Sequence, residues 1–227
     1  MQRQIILDTE TTGLNPEEGE RVIEIGCIEL MDRKITEHRF HTYLNPDKSI
    51  AIDALAVHGI NDAFLADKPR FADIAPSLLD YLKDAELIMH NASFDQKFLD
   101  HEIHLLAENG GLVLPQISSL CRITDSLQLA KQKHPGQRNN LDALCRRYQI
   151  DHSIRDKHGA LLDAELLAQV YLRMTGGQIS LALDMEPATP TSTDADKTSQ
   201  IAERPLIKVV YASAEDVARH EQWLSQC

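Results

Sequence analysis

The chain has 227 residues, 43% of them hydrophobic and 26% charged, and its 23 Lys and Arg against 35 Asp and Glu leave a formal net charge of −12. That is enough apolar chain for a folded core and too acidic a balance for a protein that grips nucleic acid by bulk charge. No run approaches the roughly 20 apolar residues of a membrane span, the apolar run Ile5–Leu7 is too short for a secretory leader, and Cys27, Cys121, Cys145 and Cys227 are too scattered for a zinc site or a disulfide scaffold, so the expectation is a cytoplasmic protein with reduced thiols and no membrane partner.

The elements follow in chain order. Gln4–Leu7 reads as an apolar strand, Arg21–Leu30 as a second, and Ile35–Leu44 as a third that Asn45-Pro46 ends. Three consecutive strands with short links predict an antiparallel start. Helical spacing follows at Ile74–Leu82, then a short apolar strand at Glu86–His90. A helix is predicted over Phe94–Asn109, with Ser93 and Gln96 as its capping box and Gly110-Gly111 as its end. Leu141–Tyr148 and Ala160–Met174 complete the helices. Strands first, then strand and helix in alternation, give an α/β domain with a mixed sheet.

Composition changes after about residue 175. The stretch DMEPATPTSTDADKTSQIAE, residues 184–203, is rich in Pro, Thr, Ser and Asp and reads as a flexible linker over 184–204. As a coil, twenty such residues span about 25 Å. Residues 205–227 are too few to bury a core alone. Val209, Val210, Tyr211 and Trp223 suit a segment that orders on a partner. The boundaries are therefore a domain over 1–177, a short peptide over 178–183, the linker over 184–204 and a terminal segment over 205–227.

Three segments place acids where chemistry can use them. Asp8 and Glu10 stand two apart at the end of the first strand and so share a face. Side by side, like charges raise one pKa unless a cation lies between them. Asp95 falls in the first turn of its helix, where the helix dipole alone would favour a carboxylate by about 0.3–1 kcal/mol. Asp163 lies on the apolar stripe Leu166, Leu167, Val170 and Met174, and a carboxylate facing a core needs a cation. His158 precedes it by five residues, roughly 500° of helix turn, so the two would not share a helical face, but Gly159 lets His158 sit on the incoming loop and fold back. An imidazole with an ordinary pKa near 6.5 suits proton abstraction at neutral pH. Four converging carboxylates would hold two hard divalent cations, Mg²⁺ or Mn²⁺, in the arrangement that hydrolyses phosphodiesters.

Asp8-Thr-Glu10, His90-Asn-x-x-Phe94-Asp95 and His158-x-Ala-x-x-Asp163 together resemble the three motifs of the DEDD family of 3′–5′ exonucleases, in its histidine variant. The resemblance covers residues 3–174 and implies a ribonuclease H-like fold: a mixed central sheet flanked by helices, with a tail beyond it. It also implies that Asp8, Glu10 and Asp163 hold one metal, that Asp8 reaches a second with Asp95 acting through water, and that His158 is the base. Thr9-Glu-Thr-Thr-Gly-Leu14, Asp53-Ala-Leu-Ala-Val57-His58-Gly59-Ile60 and Asn139-Asn-Leu-Asp-Ala-Leu-Cys-Arg-Arg-Tyr148 are similar to the family's proofreading members, which serve a replicative polymerase. By that likeness Asp8, Glu10, Asp53, His58 and Asp163 meet the substrate, a single-stranded 3′ end of DNA, with Asp53 and His58 on its terminal nucleotide. Gln178-Ile-Ser-Leu181-Ala-Leu183 resembles a sliding-clamp-binding peptide through Gln178, Leu181 and Leu183. Residues 205–227 would tether the chain to the polymerase catalytic subunit, and a small theta-like accessory subunit is a further candidate partner. Two other readings stay open: a stand-alone exonuclease trimming RNA or DNA ends, and a non-catalytic module of a replication complex.

DNA grip is expected to be weak. Aromatic residues are 5% of the chain, so stacking platforms are few. The densest basic region is Lys131, Lys133, Arg138, Arg146 and Arg147, and a tether would supply the effective concentration.

Overall fold

The structure, a computed structural model, describes residues 2–108, 112–153 and 157–176. Gln178, Leu181 and Leu183, the linker 184–204, the segment 205–227 and the helix end at Gly110-Gly111 lie outside the described residues. The predicted antiparallel start is present: β1 (Arg3–Thr11), β2 (Val22–Met31) and β3 (Lys34–Tyr43) form a meander. On the other side of β1, β4 (Glu86–Met89) and β5 (Arg122–Asp125) pair in parallel. The sheet order is β3-β2-β1-β4-β5, so β1 is central. Its sequence, an apolar run rather than an alternating one, suits a strand covered on both faces.

The helices divide between those faces. On one, Ile5, Leu7, Leu87 and Met89 pack with α3 (Phe71–Leu82) and α4 (Ala92–Glu108). On the other, Ile6, Ile28 and Ile88 pack with α6 (Ser126–Lys133), α7 (Leu141–Arg147) and α8 (Ala160–Thr175). The short helices α1 (Ile52–His58), α2 (Asp62–Leu65) and α5 (Ile117–Leu120) fill the connections. Cys27, Cys121 and Cys145 are buried free thiols. Among the described residues no helix is long and apolar enough to cross a membrane.

One local expectation fails. Ser93 does not cap α4: the helix begins at Ala92, and Ser93 lies inside it. The chain turns at Asn91 instead, with φ of 70°, and the Asn91 carbonyl accepts the Phe94 amide at 2.9 Å. Asparagine tolerates this left-handed geometry better than most residues. Gln96 donates to Asp100 at 3.3 Å, not back to the helix start.

Helix α8 sits unusually close to the sheet because β2 carries Gly26. A Cβ there would lie 2.3 Å from the Leu161 nitrogen and 2.4 Å from the Ala160 carbonyl carbon. Glycine lets the first turn of α8 rest on the strand, and Gly26 stands directly opposite Asp8 in the β1–β2 register.

Candidate active site

The alternation of β1 sends Asp8 and Glu10 to the α8 face and Thr9 to the α4 face. At the carboxyl end of this strand the two helices arrive with their first turns, α4 carrying Asp95 and α8 carrying Asp163. Positive helix ends thus converge from both faces on one group of acids. A cleft of about 270 Å³ is lined there by Asp8, Glu10, Asp95, His158 and Asp163, with His90, Asn91, Phe94 and Asn140–Asp142 completing its wall. All five residues singled out by the motifs are brought together.

Asp163 lies on the buried stripe of α8 with its side chain 4% exposed, beside Leu166, Leu167, Val170 and Met174, all buried. His158 folds back on the loop as Gly159 allows, and its Nδ1 lies 3.4 Å from Asp163 Oδ2 while its ring stays 47% exposed. Glu10, His158 and Asp163 each offer a ligand atom within 4.8 Å of the others. Asp95 is 3% exposed and accepts a hydrogen bond from Thr9 Oγ1 at 2.7 Å. Burial pushes its carboxyl far above the usual carboxylate range; the bonds from Thr9 and the backbone oppose this, and the like charge of Asp125 adds to it. A carboxylate in that position calls for a proton or a cation. The donor set, carboxylate oxygens with one imidazole, fits a hard divalent ion.

Asp53 and His58 are not in this cleft but in one that adjoins it. That second cleft, about 560 Å³, shares Thr9, Glu10 and Phe94 with the first and is walled by Leu14, Ala54 and Val57. Asp53 is exposed on α1, and His58 is buried at the helix end. The Ile60 amide donates to His58 Nδ1 at 3.0 Å, and burial pushes the ring's pKa down, so His58 is a neutral imidazole protonated at Nε2.

His90 lines the first cleft although only its motif, and not the residue, was singled out. Ser126 donates its hydroxyl to the Met89 carbonyl at 3.1 Å and lies 2.9 Å from His90 Nδ1, so its oxygen accepts a hydrogen bond from the Nδ1–H. Burial again lowers the pKa. Leading position in the second motif was the available signal. Asn140–Asp142 carried none beyond the likeness of their helix.

Three comparisons bear on this arrangement. The exonuclease family model matches residues 5–171. The DNA polymerase III subunit epsilon of Salmonella typhimurium is 49% identical over 227 residues, 98% of this chain and 92% of that protein. The Escherichia coli K12 protein of the same name is 48% identical, covering 96% of this chain and 90% of its own length. Among solved structures, exonuclease X with 5′-overhanging duplex DNA matches at a TM-score of 0.57 with 26% identity, over 78% of this chain and 92% of that one. A zinc-bound E. coli exonuclease I complex with single-stranded DNA shares the fold at a TM-score of 0.64 and 17% identity, over 78% of this chain and 41% of that one.

Proposed function

This chain belongs to the exonuclease family and, within it, to the epsilon subunits of DNA polymerase III, and from that premise we propose how its residues divide the work of a 3′–5′ proofreading exonuclease. The observation that carries the assignment is the Glu10, His158 and Asp163 cluster beside buried Asp95 at the end of β1.

The fold family depends on a divalent metal. We assign two ions, Mg²⁺ or Mn²⁺, one to Asp8, Glu10 and Asp163 and the other to Asp8 with Asp95 acting through water. When bound, they supply Lewis-acid activation of the attacking water and stabilisation of the leaving 3′ oxygen. The protein's own part is positioning and proton transfer. Thr9 fixes the Asp95 carboxylate by its hydroxyl. His158, with Nδ1 turned to Asp163, takes a proton from the attacking water at Nε2. Asp53 and His58 hold the terminal nucleotide in the adjoining cleft, where Leu14 and Val57 provide an apolar wall. The water attacks the last phosphodiester, the P–O3′ bond breaks, and a nucleoside 5′-monophosphate leaves.

As an epsilon subunit the chain works with the polymerase and with DNA. The finer contacts are our assignment: the catalytic alpha subunit binds residues 205–227, the sliding clamp binds Gln178, Leu181 and Leu183, and a small theta-like subunit binds the exonuclease domain. Residues 184–204 serve as the tether between the clamp peptide and residues 205–227, in the cytoplasm where replication takes place. The test is mononucleotide release from a 3′-mismatched primer by the purified full chain, with Mg²⁺ or Mn²⁺ and with or without alpha subunit and clamp. Release without partners, faster with them and stopped by a chelator, is expected. No mononucleotide with either metal would overturn the reading. Deleting residues 205–227 should abolish co-purification with the alpha subunit and leave release by the isolated chain intact.

A further inference from the structure

Glu24 belongs to no motif, yet it is among the most deeply buried acids of the described residues, 2% exposed. It stands on β2 directly opposite Glu10 in the strand register. Two carboxylates facing each other in a sheet repel. What Glu24 touches explains it. Its Oε1 lies 2.8 Å from His41 Nε2 on β3. Its Oε2 accepts the Ala160 amide at 3.1 Å, the first backbone N–H of α8. The residue at the helix start is Gly159, which has no side chain with which to cap, so a carboxylate from the sheet, 136 positions away, meets one of the helix's unpaired amides.

This bond matters because of where it falls. The His158 amide donates to the Val57 carbonyl at 3.3 Å. The loop is therefore pinned immediately at His158 by α1 and two residues later by Glu24, and Asp163 follows one turn on, its amide bonded to Gly159 at 2.8 Å. Gly26 leaves room for α8 to reach the strand, but room alone does not set the rotation of its first turn. We propose that Glu24 is a positioning residue of the exonuclease: its carboxylate oxygen anchors the Ala160 amide, and so fixes the junction from which His158 is presented. The proposal rests on the assignment of His158 as the base. It requires reach rather than charge, since the anchored group is a neutral amide.

Three substitutions separate reach from charge. Glu24→Asp keeps the charge but withdraws the oxygens by one bond, about 1.5 Å. Glu24→Gln keeps an acceptor for Ala160 and can donate its NH₂ to His41. Glu24→Ala removes both. Two readouts are taken on the full chain. The first is hydrogen exchange of the Ala160 amide by NMR. The second is kcat and KM for mononucleotide release, each variant also being made in the His158→Ala background. Protection of Ala160 should survive in Gln and be lost in Asp and Ala. With it kcat should fall about 10²-fold, the cost of an ångström-scale misplacement, while KM holds and Gln stays near wild type. In the His158→Ala background the same loss should be much smaller, because the two residues act as a unit. If Asp retains kcat while Gln loses it, or if losses are equal in both backgrounds, the positioning role is wrong. If Ala160 stays protected in Asp, the anchor itself is wrong. A wild-type chain that releases no mononucleotide would instead count against the functional reading, while the exchange data would still judge the anchor.

Discussion

Glu29 and Glu86 at the amino end of β1 and Asp95 at its carboxyl end are held in opposite ways. At the amino end of β1, Glu29 receives Arg3 Nε at 2.7 Å and Thr36 Oγ1 at 2.9 Å. Nearby, Glu86 receives Gln2, Gln4, Thr124 and Arg122 at 2.6–2.9 Å. Burial pushes both carboxyls up, but these donors outweigh it and hold both below the ordinary value. At the carboxyl end of the same strand, burial wins at Asp95 and its pKa rises. Glu29 and Glu86 meet guanidinium groups of the chain itself, as Glu102 meets Arg21 beside the other end of the strand, whereas Asp95 is met by the Thr9 hydroxyl and backbone donors. A buried acid without an internal cation is a cost to the fold, tolerated where function needs it.

Breaking the carboxyl end should have the largest effect. Asp8→Ala should reduce mononucleotide release at saturating Mg²⁺ to background, a loss of at least about 10³-fold, because several kcal/mol of charge stabilisation is lost at 1.36 kcal/mol per decade. Wild-type rates would sink the assignment of Asp8. His158→Ala should fall by about 10²–10⁴-fold and retain a measurable remnant, since a base assists a step that bound metal already promotes. Unchanged release at pH 7 would remove His158 from that role.

Stability should then change in opposite directions at the two ends. The folded pKa of Asp95 is raised, so stability is fully present below its unfolded value and is lost as pH rises toward the folded one. With chelator at pH 8, Asp95→Asn should therefore raise the unfolding midpoint by about 2–4 °C, the shift that ~1 kcal/mol gives a domain of this size, while abolishing activity. Added Mg²⁺ should restore the wild type's midpoint and leave that of the variant unmoved. The smallest effect belongs to Glu86→Gln, which should cost about 0.5–1.5 kcal/mol with kcat unchanged. Glu86 has a lowered folded pKa, so its contribution is present above the ordinary glutamate value of 4.5 and is lost as pH falls through the folded one. The variant's urea midpoint should vary less steeply than wild type below about pH 4.5. A midpoint for Asp95→Asn that falls with chelator, or a Glu86→Gln as inactive as Asp8→Ala, would erase the contrast.

The grouping of acids at the candidate site was more legible than parts of the fold that carry it, and the reason is range. Asp8 with Glu10, Asp95 at a helix start and Asp163 on an apolar stripe are each local patterns, and local spacing survives in sequence. The meander and the helices over residues 71–82 and 160–175 are likewise periodic. β5, Arg-Ile-Thr-Asp, has one apolar residue, and its strand character comes from pairing with β4. α6, Ser126–Lys133, was missed because it offers the core little beyond Ala130 and Leu129. Ser93 misled because Ser before a helical pattern is a good cap, whereas the turn at Asn91 obeys a backbone constraint that the pattern does not display. Glu24 was invisible for the simplest reason: the amide it holds is 136 residues away.

Metal binding by the acids at the carboxyl end of β1 is read by titrating the full chain with Mn²⁺ and counting bound ions by electron paramagnetic resonance. Two ions per chain, displaced by Mg²⁺ and lost in Asp8→Ala while retained in Glu86→Gln, are predicted. A chain that binds no Mn²⁺, or binds it equally well without Asp8, would mean that these acids do not hold the metal.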